Sequence, residues 1–404
     1  MIELEDLLSA RERVKEVIRP TQVDRLESLS KLAGRPVILK PEYRQRTGSF
    51  KIRGAYNRIS RLPDGLPVVA ASAGNHAQGV ALAASLTGRP ATIFMPRNAA
   101  LPKVAATRDY GATVRLEGEV VDDCIALAEG FAAETGAVYV PPFDDLEVIA
   151  GQGTVGLELL EEAPDAEVIV VPVGGGGLIG GVGAAVALSQ PPTASRQRPR
   201  VVGVEAAGAP TLTEALSAGR PVTLQRLATM ADGISVSRCS DLTLSLADRF
   251  VDEIVTVDEE EISQAMLLLV ERAKAVVEPS GAASLAAILN RRLPGAGPAV
   301  AVLSGGNVDP LLLTKLIEHG LAAAGRYLTL SIVMADRVGA LAALTTQLAR
   351  LRLNVLDVEH HRSGRDLAVA EVEVQVTVET RDLAHHDEVV AALTELGYRV
   401  ERAG

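Results

Sequence analysis

Lys51 follows the run Thr47-Gly48-Ser49-Phe50 and leads into Ile52-Arg53-Gly54-Ala55. A lysine ammonium is ordinarily solvated, protonated and unreactive. Behind a Thr-Gly-Ser turn and a phenylalanine, ahead of a segment that can be helical, this lysine stands where burial would disfavour its charged form. The neutral amine is the form that condenses with an aldehyde. The other lysines that could form such a bond are Lys15, Lys31, Lys40, Lys103, Lys274 and Lys315.

Three further segments invite chemistry. Gly174-Gly175-Gly176-Gly177 lies between an apolar strand and a helix, where backbone N–H groups and the helix N-terminus suit a phosphate. The same residues also read as a tight turn with no ligand. Gly175, Gly177 and Gly180 spell GxGxxG, with Glu205 ending the next strand, so a dinucleotide stays open as an alternative. Ser72-Ala73-Gly74-Asn75-His76 follows a strand. Its backbone N–H groups suit a carboxylate, and Asn75 offers both donor and acceptor. His76 is read as a hydrogen bonder without an assigned catalytic role. Ser304 ends a late strand before Gly305-Gly306-Asn307, where its hydroxyl would project above a sheet.

Chemistry of this kind needs a large scaffold. The chain has 404 residues, 48% of them hydrophobic, with a mean hydropathy of +0.21. Such a length calls for two or three domains. Aromatic residues make up 3%, without tryptophan, so the core must be aliphatic, as in buried parallel sheets. A net charge of -11 leaves no basic tract for nucleic acid. Cys124 and Cys239 form no disulfide framework or metal spacing, which fits a reducing compartment. The acidic start Met1–Asp6 has no apolar leader, and apolar runs stop short of a membrane span. The composition reads as a cytoplasmic protein.

The positioning elements follow from periodicity. Residues 5–18 have helical spacing ahead of Pro20. Val37–Lys40, Val68–Ala71, Ala91–Met95 and Thr113–Leu116 read as strands separated by helices, the grammar of a parallel sheet. The pattern resumes with Val168–Val173, a helix over 178–189, a strand Val201–Val204 and a strand Ala299–Leu303; Pro191-Pro192 marks an exposed loop. Beyond about residue 325 the pattern changes. A strand Tyr327–Met334, a helix over 338–350, the alternating strand Glu371–Val378, a helix near 385–396 and a strand near Arg399-Val400 fit a βαββαβ unit with one wet face.

Taken together, Thr-Gly-Ser-Phe-Lys, Ser-Ala-Gly-Asn-His-Ala-Gln-Gly, Gly-Gly-Gly-Gly-Leu and Ser-Gly-Gly-Asn resemble the pyridoxal-phosphate enzymes of the tryptophan-synthase-β fold type. More closely, they resemble the threonine ammonia-lyases; Ala231–Ile234 and Glu278–Ala282 match that family too. The resemblance covers about residues 5–320. It implies an α/β fold of two parallel-sheet subdomains with the cofactor in the crevice between them. The expected catalytic domain is 1–325, with a small subdomain over about 52–150.

By the same resemblance, Lys51 would hold the cofactor's aldehyde and move the proton at Cα. Phe50 would pack on the cofactor ring, Asn75 would bond its phenolic oxygen, Gly174–Gly177 would hold the phosphate and Ser304 would face the pyridine nitrogen. Ser72, Ala73, Gly74, Asn75 and His76 would form the substrate-carboxylate segment. A neutral Ser304 would favour prompt loss of a β-hydroxyl, giving 2-oxobutyrate and ammonia from threonine, and pyruvate less readily from serine. Serine racemases share the scaffold but use a serine where this chain has Ala73. Their metal site would map to Glu205, Ala209 and Thr211, and Thr211 departs from that pattern, so no metal is expected.

The tail, 326–404, resembles an ACT regulatory domain. That resemblance implies an amino-acid effector at Asp336, Gly339, Ala340 and Leu341, and a homodimer or homotetramer.

Overall fold

A computed structural model describes residues 2–189, 198–323, 325–362 and 367–403. The loop expected at Pro191-Pro192 lies outside them. The chain divides into two compact units, Met1–Pro310 and Leu311–Gly404.

The first unit holds two sheets. The strands in chain order are β1 (Asp24–Arg25), β2 (Val37–Lys40), β3 (Val68–Ala71), β4 (Ala91–Met95), β5 (Thr113–Leu116), β6 (Val138–Tyr139), β7 (Val168–Pro172), β8 (Arg200–Ala206), β9 (Glu253–Val257) and β10 (Ala299–Val302). The larger sheet has the order β1-β2-β10-β7-β8-β9. All its pairings are parallel except that of β1 with β2, an antiparallel edge that periodicity did not reveal. The smaller sheet, β5-β4-β3-β6, is parallel throughout. β2, β3, β7 and β10 are buried at every position, because helices cover both faces, which explains their aliphatic runs, interrupted only by Lys40 and Pro172 at strand ends. The smaller sheet has its own core, drawing on Ile52, Ile59, Val68, Val80, Ile93 and Val148.

The helix Leu146–Glu162 ties the two layers together. A Cβ on Gly151 would lie 2.5 Å from the Arg53 carbonyl, and one on Gly181 would lie 2.5 Å from the Ile149 carbonyl. Glycine at these crossings lets the helix Lys51–Ile59 and the helix Gly177–Leu188 approach the same partner at backbone distance. The helix that starts at Lys51 and the helix behind the four glycines are thereby held in one packed stack.

The second unit contains β11 (Tyr327–Ala335), β12 (Val355–His361), β13 (Glu371–Glu379) and β14 (Arg399–Arg402), ordered β12-β13-β11-β14 and antiparallel throughout. With the helices Ala340–Arg350 and Leu383–Glu395 this is the βαββαβ order. Along β11 and β13 buried and half-buried residues alternate, placing Leu330, Ile332, Val374 and Val376 against Leu344, Leu348 and Leu393. β12 had no residues assigned to it from the sequence. It is exposed at nearly every position, so it carries no alternating pattern. The helix Pro310–Ala323 groups with this unit, so the compact division falls after Pro310 rather than after residue 325.

Candidate active site

Four loops at the carboxyl ends of strands supply the candidate residues: Ser72–Gly74 after β3, Val140–Phe143 after β6, Gly174–Gly176 after β7 and Ser304–Asn307 after β10. Parallel sheets bind ligands at this end.

Lys51 is the first residue of its helix, and the loop before it is fastened to the Ser304 turn. Phe50 N–H donates to the Ser304 carbonyl (3.1 Å), Ser49 and Gly305 form an isolated bridge, and Asn307 Nδ2 donates to the Thr47 carbonyl (2.8 Å). Residues about 250 positions apart in sequence are in this way brought side by side. The Lys51 amine is turned inward, donates to the Pro142 carbonyl (3.0 Å) and lies 5.2 Å from the centre of the Phe50 ring. Burial pushes it down to about 8, against the opposing pull of the Glu278 carboxylate. Lys40, by contrast, is buried but paired with Glu158 (2.7 Å) and Glu162 (2.9 Å), and Lys103 is paired with Asp232. Lys51 is the lysine whose burial draws its amine toward the neutral form, with a substantial neutral fraction near pH 8.

Asn75 opens the helix Asn75–Leu86. Its Nδ2 donates to Glu278 Oε1 (2.6 Å), and its Oδ1 accepts from Asn307 Nδ2 (2.8 Å). Glu278 is buried, and its second oxygen has no hydrogen-bond partner. Burial pushes this carboxyl up to about 7, helped by Asp232 and opposed by Lys103, the Asn75 hydrogen bond and Lys51. His76, next in the chain, is turned away from acid–base work. Its Nε2 lies 2.8 Å from the Val140 carbonyl, to which the neutral ring donates, and burial together with Lys51 pulls it down to about 3. Ser72 Oγ accepts from the Gly74 N–H (3.1 Å), fixing the turn that carries Ala73. Ser304 is buried.

The glycine loop is closely backed. A Cβ on Gly175 would fall 2.2 Å from the Phe143 ring, and one on Gly177 would fall 2.9 Å from Gln152 Oε1. Gly176 has φ 89°, in the left-handed region that favours glycine. The helix Gly177–Leu188 begins here, and its first-turn N–H groups have no intrahelical acceptor.

Around these loops Thr47 Oγ1, Ser49 Oγ, Gln152 Oε1, Glu278 Oε2 and Ser280 Oγ are buried without partners. Buried polar groups are ordinarily satisfied, so a ligand rich in donors and acceptors is what this cluster lacks. An inward amine, a helix N-terminus on glycines and a hydrogen-bonding Asn75 fit pyridoxal phosphate. The dinucleotide alternative finds no free acid at Glu205. Its Oε1 accepts from Leu212 N–H (2.6 Å), and its Oε2 accepts from Thr213 N–H (3.0 Å) and Thr213 Oγ1 (2.6 Å). Glu205 therefore caps the helix Thr211–Ala218. Thr211 donates its own hydroxyl to the Val236 carbonyl, so neither residue extends a free ligand toward a metal.

Glu278, Asn307, Gln152 and Phe143 were not assigned roles from the sequence. Glu278 and Asn307 stand inside segments that matched the family, but their partner Asn75 is about 200 residues away. No local pattern marks such a contact.

A family model for pyridoxal-phosphate dependent enzymes matches residues 14–305, and an ACT domain model matches residues 328–402. The L-threonine ammonia-lyase of Thermotoga maritima is 45% identical over 408 residues, covering 100% of both chains. The catabolic L-threonine dehydratase TdcB of Escherichia coli K12 is 40% identical over 314 residues, which are 76% of this chain and 94% of that one. Among solved structures, isoform 2 of threonine deaminase from Solanum lycopersicum, in its processed form, aligns with a TM-score of 0.73 at 36% identity, over 78% of this chain and 86% of that one. Maize serine racemase aligns with a TM-score of 0.72 at 36% identity, over 80% of this chain and 98% of that one.

Proposed function

The chain belongs to the family of pyridoxal-phosphate-dependent enzymes, and from that premise we propose that it is a threonine ammonia-lyase under amino-acid control. It converts L-threonine to 2-oxobutyrate and ammonia, and L-serine less readily to pyruvate and ammonia. The observation that carries this reading is the Lys51 amine, buried, pushed down to about 8 and bonded to the Pro142 carbonyl, in the loop whose Phe143 backs the glycines.

When bound, pyridoxal phosphate supplies an electron sink for the pair released at the substrate's Cα. The chain's own residues do the rest. The N–H groups at the start of the helix Gly177–Leu188 would hold the phosphate, with Phe143 backing the loop. Phe50 would pack on the ring, Asn75 would bond its phenolic oxygen and Ser304 would face its nitrogen. The Ser72–His76 segment holds the substrate carboxylate through its backbone, and His76 keeps that segment in place through Val140. Lys51, as a neutral amine, takes the proton from Cα on one face. The β-hydroxyl leaves as water, and the resulting enamine tautomerises and is hydrolysed to the 2-oxo acid and ammonia. Ala73 has no atom that could return a proton on the opposite face, which disfavours the racemase reading.

The ACT unit gives the enzyme an amino-acid effector, with Asp336, Gly339, Ala340 and Leu341 as its expected loop. Asp336 and Gly339 lie between β11 and the helix Ala340–Arg350, whose first two residues are Ala340 and Leu341, and Gly339 has φ 87°. We read the assembly as a homodimer or homotetramer, for which the exposed edge strand β12 offers a pairing surface. Buried, unpaired Cys124 and Cys239 suit a cytoplasmic setting, and the charge of -11 gives no surface for nucleic acid. Among the described residues no helix is long and apolar enough to cross a membrane.

Release of 2-oxobutyrate from L-threonine by the pyridoxal-phosphate-loaded protein tests the reading. Rapid release that disappears in Lys51→Ala supports it; turnover retained in Lys51→Ala, or none by the parent protein, overturns it.

A further inference from the structure

Gln152, on the helix Leu146–Glu162, is 1% exposed and carries a buried amide with one end in use and the other idle. Its Nε2 donates to the Pro142 carbonyl (3.3 Å), the same oxygen that accepts from the Lys51 amine (3.0 Å). Its Oε1 has no partner among the described residues. That idle oxygen is turned toward the glycine loop: a Cβ on Gly177 would lie 2.9 Å from it and 2.8 Å from Phe143 Cβ. The side chain thus reaches from the carbonyl that receives Lys51 to the first residue of the helix Gly177–Leu188.

Packing gives no reason for glutamine at this position. The stem is closely held, since a Cβ on Gly54 would lie 3.0 Å from Gln152 Cγ. A methionine would fill similar space without burying an amide. The bond to Pro142 is long, and that carbonyl already has Lys51. A buried carbonyl oxygen without a donor is destabilising. The end of the amide that faces the glycines is also the wrong one for an anion. The first-turn N–H groups of the helix Gly177–Leu188 have no intrahelical acceptor, so a phosphate held there brings further acceptor oxygens to this spot. A second acceptor beside them repels, whereas an N–H donor bonds.

A half-turn about the last side-chain torsion exchanges the two ends of the amide. That torsion is broad and roughly two-fold, so the exchange costs little. It aims Nε2 at the glycine loop and Oε1 at the side where the Lys51 amine stands as a donor. Both ends then have work to do, provided an anion occupies the loop.

We propose that Gln152 is a phosphate-binding residue of the cofactor site, its Nε2 donating to the cofactor's phosphate alongside the N–H groups of the glycine helix. The bond is charge-assisted, because the phosphate is anionic. The proposal rests on the reading of the chain as a pyridoxal-phosphate enzyme. It adds to that reading a side-chain ligand carried by the helix that packs against the Lys51 helix.

Equilibrium titration of the full-length chain with pyridoxal phosphate and with pyridoxal, followed by absorbance, tests it, since pyridoxal has the aldehyde without the phosphate. Gln152→Met keeps the length and removes the amide; Gln152→Glu keeps the shape and sets a carboxylate beside the phosphate. Gln152→Met is expected to raise the dissociation constant for pyridoxal phosphate about tenfold, the loss of one charge-assisted hydrogen bond, and Gln152→Glu to raise it further. Both should leave the constant for pyridoxal within about twofold of the parent's, because the phosphate is the group they address. If Gln152→Met does not fold, the isosteric Gln152→Glu carries the same comparison. Phosphorus NMR of the loaded proteins reads the phosphate directly: its resonance is expected to move in either variant, and one that stays overturns the proposal. Equal weakening toward both ligands assigns Gln152 to packing and overturns the proposal while leaving the cofactor reading intact. Unchanged affinity for pyridoxal phosphate in both variants also overturns it. A parent protein that takes up neither ligand overturns the cofactor reading and the proposal with it.

Discussion

The amine of Lys51 decides what this site can do, and its titration is where the residue-scale argument can be tested. Burial lowers it from 10.5 to about 8, so the neutral fraction rises as pH passes through about 8 rather than through the solution value. The rate at which the apoprotein takes up pyridoxal phosphate, followed by absorbance, is therefore expected to climb to a plateau with its midpoint near pH 8. A midpoint near the solution value would mean the amine is solvated. Glu278 pulls in the opposite direction by stabilising the ammonium, so Glu278→Gln is expected to move the midpoint below 8. An unchanged midpoint would show that Glu278 is already protonated when the amine titrates. Lys51 was readable in the sequence because its setting is local, a turn, a ring and a helix start within a few positions. Glu278 and Asn307 were not, because their relation to Asn75 exists only after β3 and β10 stand in their sheets.

At the scale of elements, the helix Leu146–Glu162 sets where the amine and the glycine loop stand. A methyl group at Gly151 would meet the Arg53 carbonyl, and one at Gly181 the Ile149 carbonyl, each at 2.5 Å. Backbone cannot yield as a side-chain tip does, so Gly151→Ala is expected to cost about 1–3 kcal/mol in urea unfolding. It should also slow cofactor uptake, because the displaced helix is the one that begins at Lys51. An unchanged urea midpoint would mean the helices separate freely. The same helix is anchored by charge: Arg53 is fully buried between Glu42 (2.8 Å) and Glu158 (2.6 Å), with Lys40 on Glu158 as well. Arg53→Met would leave Glu42 buried and uncompensated, an expected loss of about 3–5 kcal/mol, read from the same unfolding curves. Helices and strands of this unit were largely legible, because parallel strands buried on both faces are written as short aliphatic runs between Gly and Pro. The strands left unassigned, β1, β6 and β9 here and β12 in the second unit, are short or partly exposed; β1 is a two-residue edge and β12 is exposed along its length, so neither imposes a pattern on its residues.

For the whole molecule, the question is where catalysis ends and regulation begins. The change to an alternating pattern near residue 327 suggested a boundary at 325, but packing draws it after Pro310, leaving the helix Pro310–Ala323 with the second unit. The helix is apolar enough to be ambiguous: its composition suits either unit, and only its contacts assign it. Each unit has a separate core, Leu330, Val374 and Leu393 on one side and Ile169, Val302 and Ile179 on the other. A chain ending at Pro310 is thus expected to fold, to take up pyridoxal phosphate and to release 2-oxobutyrate at a rate within about tenfold of the parent, since no residue of the proposed site lies beyond it. Its turnover should no longer respond to any amino acid that alters the full-length enzyme. A chain ending at residue 325 should behave in the same way. If the shorter chain is insoluble and the longer one active, the helix Pro310–Ala323 completes the first core, and the boundary legible in the sequence is the functional one.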